Sequence, residues 1–176
     1  MKLSSNGAHV ANYLGLRIMS SIVILLALMF SRTVLADDIS EDAYVGAWQL
    51  VSFVNTVVDT SEMVPVLGEH PRGYLALMRT GRGYLVITAD NRKVPTTEED
   101  RAEAFSTMIA YSGIYTVRAN VLKIKIDVTG NEAINGTEQT RFLSVKGGEL
   151  YLTTAPFHEP SLDKEVVGTM IFKREN

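Results

Sequence analysis

The chain has 176 residues, no cysteine and a formal net charge of −3 at pH 7. This length predicts one domain, with or without a targeting segment, and the lack of cysteine excludes disulfides and lipoprotein attachment. With 3 histidines and no basic cluster, the chain is a poor candidate for binding nucleic acid or anionic membranes, and it predicts neither a metal nor a cofactor.

The first 36 residues have the pattern of a secretory signal peptide. Arg17 precedes an uncharged run over residues 18–30, and residues 34–36 place small side chains at −3 and −1 of a cut before Asp37. The run is short for a membrane span, although the long segment before it leaves an uncleaved N-terminal anchor as the alternative. We therefore expect a secreted or periplasmic protein with a mature domain over residues 37–176 and no membrane span after cleavage.

Eight segments of the mature chain have strand character. They are rich in β-branched and aromatic residues or alternate apolar and polar residues, and turn signals separate them. These segments are residues 46–58, 73–78, 83–88, 111–117, 122–128, 136–145, 149–155 and 166–174. Antiparallel strands joined by short turns tend to close into a barrel, which removes the exposed edges of the sheet.

One helix is predicted between strands 3 and 4, from Thr96 to Ile109. Thr96 or Thr97 can cap it, acidic residues favour its first turn, and an apolar stripe at helical spacing follows, formed by Ala102, Phe105, Met108 and Ile109. The predicted fold is therefore all-β, an eight-stranded antiparallel up-and-down barrel with one helix, wide enough to hold one small ligand. A sandwich of two sheets is the alternative.

The strand over residues 136–145 has no cleanly apolar face, which favours a lined cavity over a solid core. Gln139 and Arg141 share one of its faces with Leu143 and Val145. If that face is internal, the two polar side chains are donors that would orient a carboxylate, phenolate or carbonyl. Otherwise the face is solvated, or Arg141 pairs with a carboxylate such as Asp127.

Four tyrosines are further candidates for ligand binding, Tyr74, Tyr84, Tyr111 and Tyr115. Tyrosine offers apolar area and a hydroxyl group, which suits a ring-bearing or amphipathic ligand. Each is also an ordinary core residue of a barrel. No nucleophile motif and no glycine-rich phosphate loop is present, so the sequence predicts no catalytic residue outright.

Six segments, in order and spacing, resemble the lipocalin-like domain family of bacterial and fungal proteins. They are residues 46–52, 72–75, 111–117, 136–142, 150–156 and 172–174. The first is also similar to the Gly-x-Trp signature of true lipocalins, in which the tryptophan closes one barrel end against a late arginine. Trp48 and Arg174 are the matching positions, and a cation over an indole face is a structural contact.

The resemblance implies a small β-barrel with a ligand cavity, but it does not imply one activity. Some fungal relatives are cofactor-independent cyclases or isomerases of natural-product pathways. This chain departs from the family at Lys123 and Lys125, where many members carry histidines, and at Asn135, where many carry tryptophan. A difference in ligand or chemistry is therefore expected.

Two functions follow. The first is a secreted or periplasmic binder of a small hydrophobic or amphipathic molecule, with Arg141, Gln139 and the four tyrosines as ligand-binding residues. The second is a cofactor-independent isomerase or cyclase that uses the same cavity. An enzyme needs a group of tuned pKa, and the candidates are Asp127, His158 or a tyrosine beside Arg141.

Overall fold

A computed structural model describes residues 39–175 of the protein. The predicted leader, residues 1–36, lies outside the described residues. The helices are α1 Glu41–Tyr44 and α2 Glu98–Ser106, with a 3-10 turn over Glu132–Ile134. The strands are β1 Gly46–Val57, β2 Met63–Pro65, β3 Arg72–Leu77, β4 Arg82–Thr88, β5 Met108–Arg118, β6 Val121–Thr129, β7 Glu138–Lys146, β8 Glu149–Thr153, β9 Phe157–Glu159 and β10 Lys164–Arg174. In the part of the chain so described, no helix has the length and apolar character needed to cross a membrane.

The sheet is a closed antiparallel barrel. Its order is β2-β1-β3-β4-β5-β6-β7-β8-β10-β9, and β1 also pairs with β10. Eight strands therefore form the barrel wall and each corresponds to a predicted segment, so the predicted barrel is confirmed and the sandwich is wrong. The two short strands, β2 and β9, were not predicted. They pair with the far half of β1 and the first residues of β10, beyond the reach of β3 and β8.

The helix differs from its prediction in position and length. It lies between β4 and β5, since β2 adds a strand before it. Thr97 is its N-cap and accepts a hydrogen bond from the Asp100 N–H group, while the Asp100 carboxylate accepts one from the Thr97 N–H group. Met108 and Ile109 do not belong to the helix, because they begin β5 and pair with the end of β4. No residue of α2 is buried.

A bulge in β1 decides which of its side chains face the interior. The pairing with β10 shifts register between Leu50 and Ser52, and the extra residue, Val51, is exposed. Before the bulge Trp48 and Leu50 are buried. After it the buried positions are Asn55 and Val57. The alternation therefore changes phase half-way along the strand.

One end of the barrel is closed by α1, Trp48 and Arg174. The Trp48 Nε1–H group donates to the Tyr44 carbonyl at 2.8 Å, and the Arg174 guanidinium lies 4.3 Å from the centre of the indole. Arg174 also donates to the carbonyl groups of Asp42 (3.2 Å), Ala43 (2.9 Å) and Val45 (2.8 Å). The two side chains thus satisfy four consecutive carbonyl groups at the helix end, which have no partner within the helix.

Candidate ligand-binding site

The end of the barrel opposite α1 contains a cavity of about 360 Å³. Its walls are Phe53 on β1, residues 139–141 on β7, residues 154–157 after β8, and Gly168 on β10. The cavity arises where β8 has ended at Thr153 and β10 pairs instead with β9. Its volume lies in the range of small-molecule sites.

Strand β7 presents two polar side chains to this cavity. Gln139 and Arg141 are partly buried and alternate with exposed residues, whereas Leu143 further along the same face is fully buried in the core. Their face is therefore the internal one. The first half of β7 lines the cavity, and its second half packs against the apolar core.

The Arg141 guanidinium has only neutral partners. It donates from Nη1 to the Thr140 carbonyl at 2.7 Å, and Nη1 and Nη2 lie 3.5 and 3.4 Å from the Gln139 Oε1 atom. Its Nε atom is buried and, within residues 39–175, has no acceptor. Among the ion pairs of the described residues, none within 4.0 Å includes Arg141.

Asp127, the alternative partner for Arg141, is engaged elsewhere. It lies on the outer face of β6, where it pairs with Arg82 at 2.5 Å and accepts a hydrogen bond from the Ser112 hydroxyl at 3.1 Å. The Arg82 guanidinium holds the pKa of Asp127 below its usual value. The ionised carboxylate thus neutralises an outer arginine and leaves the charge of Arg141 without a counter-ion in the described protein.

Tyr111 on β5 stands near the arginine. Its ring packs against the core cluster. Burial raises the pKa of Tyr111, and the neighbouring charge of Arg141 opposes that rise without cancelling it. The phenol is therefore protonated at neutral pH and can act as a donor. Tyr111, Gln139 and Arg141 are the predicted binding residues that the fold brings together.

Residues 45–174 match the sequence profile of the lipocalin-like domain family. The chain belongs to this family. A comparison with curated proteins finds no match. The matched range contains all eight strands of the barrel wall in full, since β1 begins at Gly46 and β10 ends at Arg174. A lipocalin-like barrel with an internal cavity suits the binding of a small molecule.

Three of the predicted tyrosines lie away from the cavity of this lipocalin-like barrel. Tyr74 is 49% exposed and Tyr84 45% exposed, both on the outer face. The prediction that they line the cavity needs correction, because their strands turn the alternate leucine and isoleucine side chains inwards. Tyr115 is buried at the closed end instead, where its hydroxyl donates to the Met78 carbonyl at 2.9 Å.

A second cavity of about 500 Å³ lies between the end of α2, the start of β5 and the turn after β6. Phe105, Met108, Ile109 and Ile134 supply its apolar lining, and no charged side chain is among its walls. It therefore offers no charged group that would pair with an acidic head group. His158, the other candidate of the lipocalin-like chain, is exposed and lies 3.6 Å from Asp163.

Several cavity residues were missed by the sequence analysis. Phe53 on β1 and Gly168 on the neighbouring strand β10 both line the cavity, and the Gly168 N–H group donates to the Thr154 hydroxyl at 2.9 Å. Asn55, buried behind Gly168, was missed as well. A signal existed for the glycine, because it interrupts the otherwise apolar alternation of the last strand.

Proposed function

We propose that the protein binds a small amphipathic molecule with an acidic head group in the 360 Å³ cavity. The observation that carries the proposal is the partly buried Arg141, which has no carboxylate partner among the described residues. A charge held in a protein interior without a counter-ion is unfavourable. A carboxylate entering the cavity would supply that counter-ion.

The rest of the cavity fits the apolar part of such a ligand. Phe53, Pro156 and Phe157 present aromatic and aliphatic surface, and burial of apolar area stabilises a complex by roughly 25 cal/mol per Å². The arginine fork fixes orientation through charge-assisted hydrogen bonds, which are stronger than neutral ones. Gln139, already in contact with the guanidinium, holds the fork in position.

Matched probes test this role. Isothermal titration calorimetry is run with decanoic acid and 1-decanol on the wild-type protein, on Arg141→Met and on a control, Arg118→Met. Arg118 is an exposed arginine at the far end of β5, so its removal changes the net charge equally. Since a hydrogen bond to a charged group contributes about 1.5–3 kcal/mol, Arg141→Met should weaken decanoate binding by about 10- to 100-fold.

The two probes separate a head-group contact from general damage to the cavity. Decanol should change by less than about threefold in Arg141→Met, because it has no charge for the arginine to neutralise. The control variant should bind both probes as the wild type does. Equal losses for acid and alcohol would count against the proposed role of Arg141.

We also propose that the protein is secreted or periplasmic. The support is the predicted leader, with its uncharged run over residues 18–30 and the small residues before Asp37. Intact-mass measurement of protein isolated from its own host should give the mass of residues 37–176. The mass of the full chain would refute cleavage and favour the N-terminal anchor.

A catalytic role receives no comparable support. An isomerase or cyclase needs a base or acid facing the substrate. Asp127 is on the outer face with its pKa lowered by Arg82, and His158 is exposed. Tyr111 lies beside the arginine, but burial raises its pKa and makes it a poor base. Binding is therefore the function proposed.

A further inference from the structure

We infer that the cavity contains a second polar subsite, the Asn55 carboxamide, and that the natural ligand carries a hydroxyl or N–H group in addition to its acidic head. The inference rests on the proposed function and specifies the ligand class of the same cavity. The observation behind it is that, within residues 39–175, two buried side-chain polar atoms lack a hydrogen-bond partner: Asn55 Oδ1 and Arg141 Nε.

Asn55 is a polar residue in an apolar position. It faces inwards from β1 and is only 5% exposed. Its neighbours on the same face are Phe53, which lines the cavity, and Val57, which is fully buried. Buried polar groups in folded proteins are nearly always hydrogen-bonded, so an acceptor without a donor requires an explanation. A donor supplied by the ligand is such an explanation.

The path from the cavity to Asn55 passes Gly168. The two residues are partners in the pairing of β1 with β10, and Gly168 is part of the cavity wall. A Cβ atom on Gly168 would lie 3.1 Å from Asn55 Oδ1, 3.4 Å from Thr154 Cγ2 and 3.6 Å from Phe53 Cε2. The missing side chain therefore keeps the space in front of the carboxamide open.

The two atoms without partners have opposite hydrogen-bonding character. Arg141 Nε is a donor on β7 and requires an acceptor, whereas Asn55 Oδ1 is an acceptor on β1 and requires a donor. A simple alkyl acid satisfies the first and leaves the second unpaired. A hydroxy acid or an N-acylated amino acid has both groups, and the ring of Phe53 supplies apolar surface near them.

Hydroxylated probes test the inference. Decanoic acid is compared by calorimetry with its positional isomers hydroxylated at carbons 2, 3, 5, 8 and 10. A hydroxyl group normally disfavours transfer into an apolar cavity. We expect one isomer to bind the wild-type protein at least about threefold more tightly than decanoic acid, as one added neutral hydrogen bond implies.

Two variants assign that gain to the carboxamide. Asn55→Leu removes the acceptor at similar volume, and Gly168→Ala places a methyl group in front of it. In both variants the hydroxylated isomer should bind no more tightly than decanoic acid binds to the same variant. Thr56→Val, the next residue of β1, is the control and should keep the advantage.

Thermal unfolding of the unliganded protein adds a readout that does not depend on a ligand. Asn55→Leu should melt at the same or a higher temperature, since it removes a buried acceptor without a donor. A clearly lower melting temperature would overturn the inference, because the amide would then serve the fold.

The binding outcomes separate the inference from the proposed function. If no isomer gains affinity, or if the gain survives Asn55→Leu, the second subsite is refuted while Arg141-dependent decanoate binding stands. If the wild-type protein binds none of the acids, the proposed function is refuted and the inference fails with it.

Discussion

Replacement of Arg174 by methionine is expected to weaken the closed end of the barrel more than removal of any other exposed arginine. Arg174 makes three hydrogen bonds to carbonyl groups around the end of α1 and stacks over Trp48. Methionine keeps the length of the side chain and loses every one of these contacts. The carbonyl groups of α1 would then rely on water.

The magnitude follows from the contacts. A typical hydrogen bond to a backbone carbonyl group contributes about 0.5–1.5 kcal/mol to folding stability, and a cation over an indole ring contributes about 0.5–2 kcal/mol. Because Arg174 is largely exposed, the low end of each range applies, which gives about 2–3 kcal/mol in total. For a domain of this size that corresponds to a fall in melting temperature of roughly 6–10 °C.

The assay is urea unfolding followed by the fluorescence of Trp48, the protein's one tryptophan. Arg174→Lys keeps the charge but not the planar fork, so its loss should lie between wild type and Arg174→Met. Arg118→Met, exposed at the same end, is the control and should change the free energy of unfolding by less than about 0.5 kcal/mol. A loss in Arg174→Met no larger than in this control would refute the reasoning.

Three further predictions concern packing and pH. Gly113→Ala should lower the free energy of unfolding, measured in urea, by about 3 kcal/mol or more, because its Cβ atom would lie 2.1 Å from the Lys125 carbonyl oxygen. Gly130→Ala is the control: its nearest contact would be at 3.6 Å, and it should cost less than about 1 kcal/mol. Burial raises the pKa of Tyr115 from 10.0 to about 12; an unfolded tyrosine ionises first, so stability should fall as pH rises from 10 to 12, and Tyr115→Phe should reduce that fall. Hydrogen bonds from neighbouring threonines lower the pKa of Asp100 from 3.8 to about 2; their stabilisation is complete above pH 4 and lost towards pH 2, and an unchanged acid profile in Asp100→Asn would contradict this.

The barrel strands were predictable because their sequences encode them locally. Each long strand shows either alternation or a run of β-branched and aromatic residues. The short strands β2 and β9 carry neither signal in three residues. They form because β1 and β10 extend beyond the ends of β3 and β8, where their backbone groups need other partners. That need arises only in the assembled sheet.

Met108 and Ile109 show how local pattern and tertiary pairing can disagree. Their spacing from Phe105 fits a helical stripe, and the capping residues before them are genuine helix signals. Pairing with the end of β4 draws both residues into β5. The start of the helix was therefore well placed by its cap, while its end depended on a strand far away in sequence.

The candidate site was predictable only where the local alternation of a strand shows which side chains face inwards. Alternation along β7 was enough to place Gln139 and Arg141 on one face. Alternation would also have turned Tyr74 outwards, since Leu75 and the next leucine on β3 are the buried ones. The phase of Asn55 was not readable, because the bulge at Val51 reverses the alternation half-way along β1.

The seam between β1 and β10 has a consequence for how the chain folds. The partners across it, such as Asn55 and Gly168, are more than 100 residues apart, whereas tight turns join the pairs β3–β4, β5–β6 and β7–β8. The hairpins can form early, and the seam must wait for the slow encounter of distant segments. Until the seam closes, both strands have an unpaired edge with which another chain can form hydrogen bonds. Arg174, the partner of Trp48 across this seam, therefore helps to keep both edges paired once the barrel has closed.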